Sequence, residues 1–303
     1  IEKYKKPTEK IVVVGAGAAA FRFIQNYREI NTQDEIVVFS NEKNPFYNRV
    51  LLPEYVTAEL SWEQLLKIKE EALAKLNITL QSEVAINQIS TDEKKITDSN
   101  GAIHHYDTLI LATGSRPFVP ENAQLYLPGR FTIRKKDDAD RLRNYLEQTQ
   151  LPPEEQHVVI VGGGLLGLEL AAALKHKKVK ITIIQRASRL MERQLDRISS
   201  KLLAEEVQQR DIQIYFDNEV STVFSTNRAH ELEIALKSGR TLTANAIVYT
   251  IGTIPNIEVA KEAGLTCARG VKVNQYLQSS NPSIFAIGEI AEFNNQLFGI
   301  TSA

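Results

Sequence analysis

Two stretches of this chain share one pattern of hydrophobic and polar positions. In each, a continuous β-branched run reads as a strand buried on both faces of a parallel sheet: Ile11-Val12-Val13-Val14, and again Val158-Val159-Ile160-Val161. Each run breaks into small residues and resumes at helical spacing, over residues 18–28 in the first copy and 168–174 in the second. A second strand follows in each, Glu35-Ile36-Val37-Val38-Phe39 and Lys180-Ile181-Thr182-Ile183-Ile184. A late strand closes each copy, Asp107 to Gly114 in the first and Asn245 to Gly252 in the second. The chain therefore carries a divergent internal repeat of a whole α/β unit, with the second copy placed inside the first.

The remaining segments fill in the frame. Residues 62–76 have the periodicity of an amphipathic helix, and residues 77–80 and 84–89 read as strands. Asp98-Ser99-Asn100-Gly101 marks a hairpin turn. Phe131-Thr132-Ile133-Arg134 precedes a charged helix over residues 137–147, and Leu151-Pro152-Pro153 is a linker. The expected division is residues 1–117 with 256–303 for the outer domain and 118–255 for the inner one.

Composition narrows the classes. With 303 residues, 43% of them hydrophobic, the chain suffices for two domains with sizeable cores. A net charge of −1 recommends neither nucleic acid nor an anionic membrane as partner. No apolar run approaches the roughly 20 residues of a membrane span, and the polar, basic N-terminus (residues 1–10) lacks an apolar signal region. The only cysteine is Cys267, so neither a disulfide framework nor a cysteine metal site is expected, and the expected setting is cytoplasmic. The five histidines, at positions 104, 105, 157, 176 and 230, are scattered and read as solvated or structural.

The breaks between strand and helix carry the chemistry. Gly162, Gly164 and Gly167, with Leu165 and Leu166 between them, fill a G-x-G-x-x-G spacing. The first glycine permits a tight turn, the second lets backbone approach a pyrophosphate, and the third packs helix on strand. The helix N-terminus then offers unpaired N–H groups and a positive dipole end. The upstream copy is Gly15-Ala16-Gly17-Ala18-Ala19-Ala20, with alanine as the third small residue. The fold class expected is α/β, with two Rossmann-like dinucleotide-binding domains, each three-layered, the second inserted into the first.

In such a fold the residue ending the second strand hydrogen-bonds the adenosine ribose. In the first copy that is Asn41 or Glu42: Glu42 has the better chemistry and Asn41 the more usual spacing, with a loop acid in water as the alternative. In the second copy the strand ends at Gln185-Arg186-Ala187-Ser188-Arg189. An acid here would select NAD, whereas arginine accommodates the 2′-phosphate of NADP. The acid is missing, so Arg186 and Arg189 lean the expectation to NADPH. The competing reading is two exposed arginines beside a promiscuous ribose site.

A family resemblance rests on the Gly15 loop, Phe46-Tyr47-Asn48-Arg49, Ala112-Thr113-Gly114-Ser115-Arg116-Pro117 and Ile287-Gly288-Glu289. Together these resemble the FAD-binding signatures of the pyridine nucleotide–disulfide oxidoreductase superfamily. Within it the chain is most similar to the N-terminal flavin module of assimilatory NAD(P)H nitrite reductase large subunits and to rubredoxin- or ferredoxin-type reductases. The stretch from Ser279 to Gly299 carries that likeness.

The resemblance implies FAD bound by Gly15, Ala16, Gly17, Ala18, Ala19, Asn41, Glu42, Arg49, the Val84 backbone, Ala112, Thr113, Gly114, Arg116, Gly288 and Glu289. The alternative reading of Arg116 is a surface arginine. It implies NAD(P)H at Gly162, Gly164, Leu165, Leu166, Gly167, Gln185, Arg186, Arg189 and Gly252. Glu169 is the titratable side chain assigned near the nicotinamide–flavin contact; its alternative role is a first-turn acid favoured by the helix dipole.

Two departures matter. Residues 1–110 contain no cysteine, which excludes the family's redox disulfide, and Glu54 stands where ferredoxin-type reductases usually have a lysine. The sequence ends at Gly299-Ile300-Thr301-Ser302-Ala303, where the family continues into an interface domain. The function implied is hydride uptake from NAD(P)H and electron delivery to an acceptor protein or downstream reductase domain. A homodimer is compatible with it. The alternative is a flavin-binding redox-sensing or partner-binding module with slow turnover.

Overall fold

The computed structural model describes residues 8–298. The start of the basic N-terminus and the expected chain end at 299–303 lie outside the described residues. The chain forms two compact units. Of the described residues, the first takes 8–48, Leu66–Arg116 and 254–298; the second takes Arg49–Leu65 and Pro117–Thr253.

Ten strands build two parallel sheets. In chain order they are β1 (Lys10–Val14), β2 (Glu35–Ser40), β3 (Ile78–Ser82), β4 (Thr108–Leu111), β5 (Arg130–Thr132), β6 (His157–Val161), β7 (Lys180–Ile184), β8 (Ile212–Tyr215), β9 (Ala246–Tyr249) and β10 (Ile284–Ala286). The helices used below are α1 (Ala18–Ile30), α2 (Leu52–Val56), α3 (Lys136–Gln148), α4 (Leu165–His176) and α5 (Arg197–Gln209).

The first sheet runs β10-β4-β1-β2-β3 and the second β5-β9-β6-β7-β8, with every neighbouring pair parallel. The two orders coincide when β1 is matched to β6 and β4 to β9. Only the edge strand beside β4 or β9 has a different origin. In the first unit it comes late in the chain, as β10; in the second it precedes the repeat, as β5.

The first sheet buries both faces by alternation. Ile11, Val13, Ile36, Val38 and Ile110 share a cluster with Ala20 and Ile24 of α1. Val12, Val14, Val37, Leu109 and Leu111 face the other way, with Ile89 and Ile96 of the antiparallel meander Ile86–Ser90, Lys95–Asp98 and Ile103–His105. The second sheet repeats this. Val159, Val161, Ile184 and Ile247 cluster with Val223 and Ile234 of the meander Val220–Ser225, Leu232–Leu236 and Thr241–Ala244. Helix α4 covers β6 and β7 from the opposite face. Each unit is thus an α/β fold in three layers, as the pattern of residues requires.

Three expectations need correction. The helix expected over 62–76 is broken into Trp62–Leu65 and Glu70–Ala74. Leu65 is fully buried in the second unit, whereas Leu66 bridges Tyr47 and the Lys67 N–H donates to the Phe46 carbonyl at 2.9 Å in the first. A continuous helix cannot serve both sets of contacts. Second, the helix read from residue 168 starts at Leu165, because Gly164 is extended (φ −88°, ψ −174°) and the turn is complete there. Third, the strand read over 84–89 is Ile86–Ser90, so Val84 precedes it.

Among the described residues no helix is long and apolar enough to cross a membrane, and no group of His, Cys, Asp or Glu side chains is arranged to hold a metal ion.

Candidate functional site

In the first unit, the glycine loop is shaped by its neighbour strand. Gly15 adopts φ +110°, and a Cβ there would overlap the Ala112 carbonyl oxygen. Only glycine satisfies both demands. At Gly17 a Cβ would meet no atom within 4 Å, so the loop opens onto free space at the point where backbone must approach a phosphate. Gly17 is also the N-cap of α1 and no side chain caps that helix. The first-turn N–H groups of Ala18 and Ala19 therefore remain available to an anion.

Other candidates converge on the same loop. Gly288 comes so close to α1 that its Cβ would lie 2.7 Å from that of Ala19. Glu289, next in sequence, accepts a hydrogen bond from the Ser115 hydroxyl. Thr113 is held twice by Asn256: its hydroxyl donates to the Asn256 carbonyl (2.9 Å), and its own carbonyl accepts from Asn256 Nδ2 (2.8 Å). The Asn256 N–H donates to the Gly114 carbonyl at 2.9 Å.

The remaining first-unit candidates are more engaged. Arg116 donates to Asn256 Oδ1 (3.2 Å) and pairs with Glu258 at 2.7 Å. At the end of β2, Asn41 is exposed, whereas Glu42 Oε2 accepts from the Tyr47 hydroxyl at 2.8 Å. The Val84 N–H is spent on the Ser40 carbonyl (2.8 Å), so it is not available for the backbone contact expected at this position. Ala16 is buried and its carbonyl accepts from the Phe46 N–H at 2.9 Å. Arg49 groups with the second unit, where Nη1 donates to the Arg134 carbonyl at 3.1 Å.

The second unit repeats the cradle. Gly162 adopts φ +112°, and a Cβ would lie 2.7 Å from the Thr250 carbonyl oxygen, the counterpart of Ala112. At Gly164 a Cβ would again meet nothing within 4 Å, and no side chain caps α4. At Gly167 a Cβ would overlap the Gly162 carbonyl and lie 2.7 Å from Thr250 Oγ1. Helix and strand are in contact there, which is the third glycine's task. Leu165 and Leu166 occupy the first turn, with Leu165 41% exposed. Gly252 is open, with nothing within 4 Å of its Cβ position. Both cradles fit a dinucleotide pyrophosphate.

Gln185 has a different task from the ribose contact expected of it. It is buried; Oε1 accepts the Gly163 N–H at 2.7 Å and Nε2 donates to the Arg189 carbonyl at 3.1 Å. It ties the glycine loop to the loop after β7. Arg186 is exposed, and its charge helps Lys237 hold the Glu219 carboxyl below its ordinary range. Arg189 Nη2 donates to the Glu192 carbonyl at 2.9 Å.

Glu169 sits one turn into α4 with its carboxyl pushed above the ordinary range, first by burial and then by the charge of Glu54. Helix α2, which carries Glu54, packs on α4. Glu54 Oε2 is buried without a hydrogen-bond partner. Tyr55 anchors α2 on α3, its hydroxyl donating to Asp140 Oδ1 at 2.7 Å. Sequence reasoning missed Asn256, Thr250 and Ser115. Asn256 follows Pro255 four positions after the open Gly252, a weak signal for a polar latch; Ser115 lies inside one of the stretches that carry the family resemblance and Thr250 at the end of a late strand, but neither position by itself points to its contact.

A family model described as pyridine nucleotide-disulphide oxidoreductase matches residues 9–302. The assimilatory nitrate reductase electron transfer subunit of Bacillus subtilis (strain 168) is 31% identical over 97% of this chain and 37% of its own length. A nitrite reductase (NAD(P)H) of the same organism is 29% identical over 97% of this chain and 36% of its own. The chain thus spans about a third of the length of these curated relatives, 37% and 36%. Among solved structures, the covalent putidaredoxin reductase–putidaredoxin complex superposes with a TM-score of 0.89 at 26% identity, covering 96% of this chain and 70% of that one.

Proposed function

The chain belongs to the pyridine nucleotide-disulphide oxidoreductase family, and from that premise we propose that it moves electrons from NAD(P)H to an acceptor protein or a downstream reductase domain. FAD is assigned to the first unit and the nicotinamide nucleotide to the second, with no protein disulfide in the route. When bound, the flavin supplies a hydride-accepting ring and the nicotinamide the hydride.

This chain's residues bind, orient and set the electrostatics. The observation that carries the reading is the duplicated cradle: Gly15 against Ala112 and Gly162 against Thr250, each followed by an open glycine and an uncapped helix. Gly15 to Ala19, Ala112 to Gly114, Gly288 and Glu289 would hold the flavin nucleotide, with Arg116, Asn41 or Glu42, Arg49 and the Val84 carbonyl as its further contacts. Gly162, Gly164 to Gly167 and Gly252 would hold the nicotinamide nucleotide. The absence of an acid at the end of β7 and the presence of Arg186 and Arg189 support NADPH. Glu169 keeps its proton to higher pH than an ordinary glutamate, and we assign it to the nicotinamide end. The sequence's single cysteine supports a reducing, cytoplasmic setting.

The test is an absorbance spectrum of the purified protein followed by anaerobic titration with NADH and NADPH. A flavin band that either nucleotide bleaches rapidly is the expected result; a colourless protein that takes up no FAD would overturn the reading. Glu54 favours a second reading, a redox-sensing flavin module, because an acid replaces the usual lysine and opposes charge build-up nearby. Reduction over many minutes would select it.

A further inference from the structure

Past the carboxyl end of β2 stand two polar residues, Asn41 and Glu42, and the first unit treats them differently. Asn41 is exposed, and no described side chain holds it. Glu42 is held along its length. Its N–H donates to Ser40 Oγ at 3.1 Å, and its carbonyl accepts from the Glu83 N–H at 3.3 Å. Its Oε2 accepts from the Tyr47 hydroxyl at 2.8 Å. We propose that Tyr47 is a positioning residue of the first unit, whose hydroxyl aims the Glu42 carboxylate at the ribose hydroxyls of the bound adenine dinucleotide. The proposal rests on the reading of the first unit as the FAD site.

Tyr47 can aim another side chain because its own place is over-determined. It is 2% exposed and forms a β-bridge with Leu66. The residue before it, Phe46, is fully buried in a left-handed backbone conformation, φ +53°. A bulky residue keeps that conformation only where its surroundings impose it. Here the Phe46 N–H donates to the Ala16 carbonyl and the Phe46 carbonyl accepts from the Lys67 N–H, each at 2.9 Å. The Phe46 ring lies 5.4 Å from that of Phe21 on α1. Ala16 belongs to the glycine loop. One corner of the chain therefore grips the loop that cradles the pyrophosphate and delivers the hydroxyl that holds Glu42.

The chemistry suits a pair of vicinal hydroxyls. An ionised carboxylate accepts at about four lone-pair positions, so the single donor from Tyr47 does not saturate Glu42. A hydroxyl bonded to an ionised acceptor also makes one of the stronger classes of hydrogen bond. A glutamate at a strand end would otherwise give up rotamer freedom each time a nucleotide binds. Tyr47 imposes that order when the chain folds, so the ligand meets a side chain already in place. Tyr47 thus acts through Glu42 and not by contact with the nucleotide.

The test follows FAD uptake by the flavin-free full chain through flavin fluorescence, with ADP and 2′,3′-dideoxy-ADP as competitors of FAD. Competition against FAD confines the readout to the first unit. The parent should bind ADP more tightly than the dideoxy analogue. Tyr47→Phe removes one oxygen and keeps the buried ring, and thermal melts verify its folding. It should weaken FAD and ADP by about tenfold, the lower end for a hydrogen bond to a charged group, and leave the dideoxy analogue as it was. Glu42→Ala should abolish the preference for ADP, and adding Tyr47→Phe to it should change nothing further. Asn41→Ala should keep the preference; these two arms stand even if Tyr47→Phe does not fold. A parent that takes up no FAD overturns the reading of the first unit and the proposal with it. A parent that takes up FAD, with Tyr47→Phe weakening both competitors equally or neither, overturns the role of Tyr47 alone, because a merely loosened corner does not distinguish them. A preference lost in Asn41→Ala and kept in Glu42→Ala also overturns it.

Discussion

Glu54 raises the protonation range of Glu169 across the packing of α2 on α4. Burial is the larger cause and the Glu54 charge adds to it. Two acids therefore interact across this packing, Glu54 standing at the position where the resemblance implies a lysine. The sign of the effect on stability is fixed by linkage. Glu169 binds its proton more tightly in the folded chain than in the unfolded one. Its contribution is complete below the ordinary value of 4.5 and is lost as pH rises through the raised folded value.

Glu54→Gln should remove the charge contribution and leave the burial contribution. Melting temperature should then fall less steeply with pH on the upper side of 4.5 than in the parent. Thermal melts across a pH series read this directly. Identical slopes for parent and variant would mean that the two carboxyls do not interact.

Gly17→Val and Gly15→Val should separate cofactor binding from folding. At Gly17 a side chain meets nothing of the protein, so the fold should survive while FAD is lost. At Gly15 it would strike the Ala112 carbonyl from a backbone at φ +110°, so the first unit should be strongly destabilised. Flavin absorbance and circular dichroism on the same samples check both. Normal flavin content in Gly17→Val would refute the cradle.

Gln185→Leu should leave the buried Gly163 N–H unpaired. The expected cost is about 1–3 kcal/mol of stability in the second unit, the usual penalty for an orphaned buried donor. Urea unfolding of parent and variant measures it. A variant as stable as the parent would show that the Gly163 contact contributes nothing.

Cys267→Ser should preserve NAD(P)H-dependent dye reduction, since Cys267 is the sequence's only cysteine and has no intrachain partner. Its thiol is pushed up in pKa chiefly by burial, which also keeps it unreactive. An order-of-magnitude loss of rate with the fold intact would reveal a thiol role.

The sequence by itself determined the strands β1 and β6, the glycine loops behind them and the existence of the repeat. These depend on residues adjacent in the chain: β-branched runs, glycine spacing and a helix restarting a few positions on. The tertiary structure alone decided what each loop rests against. Ala112 and Thr250 are the backbone walls that make Gly15 and Gly162 obligatory, yet neither is distinctive as a residue type. Asn256 reaches Thr113 across 143 positions, and no periodicity connects such partners. The same limit misassigned Gln185, whose place at a strand end predicts a ribose contact while its amide is buried holding Gly163. It also hid the break after Leu65, because the helical pattern over 62–76 records apolar spacing but not the two sets of contacts that divide it. Local pattern specifies which element forms; burial and pairing between distant segments specify what its side chains are free to do.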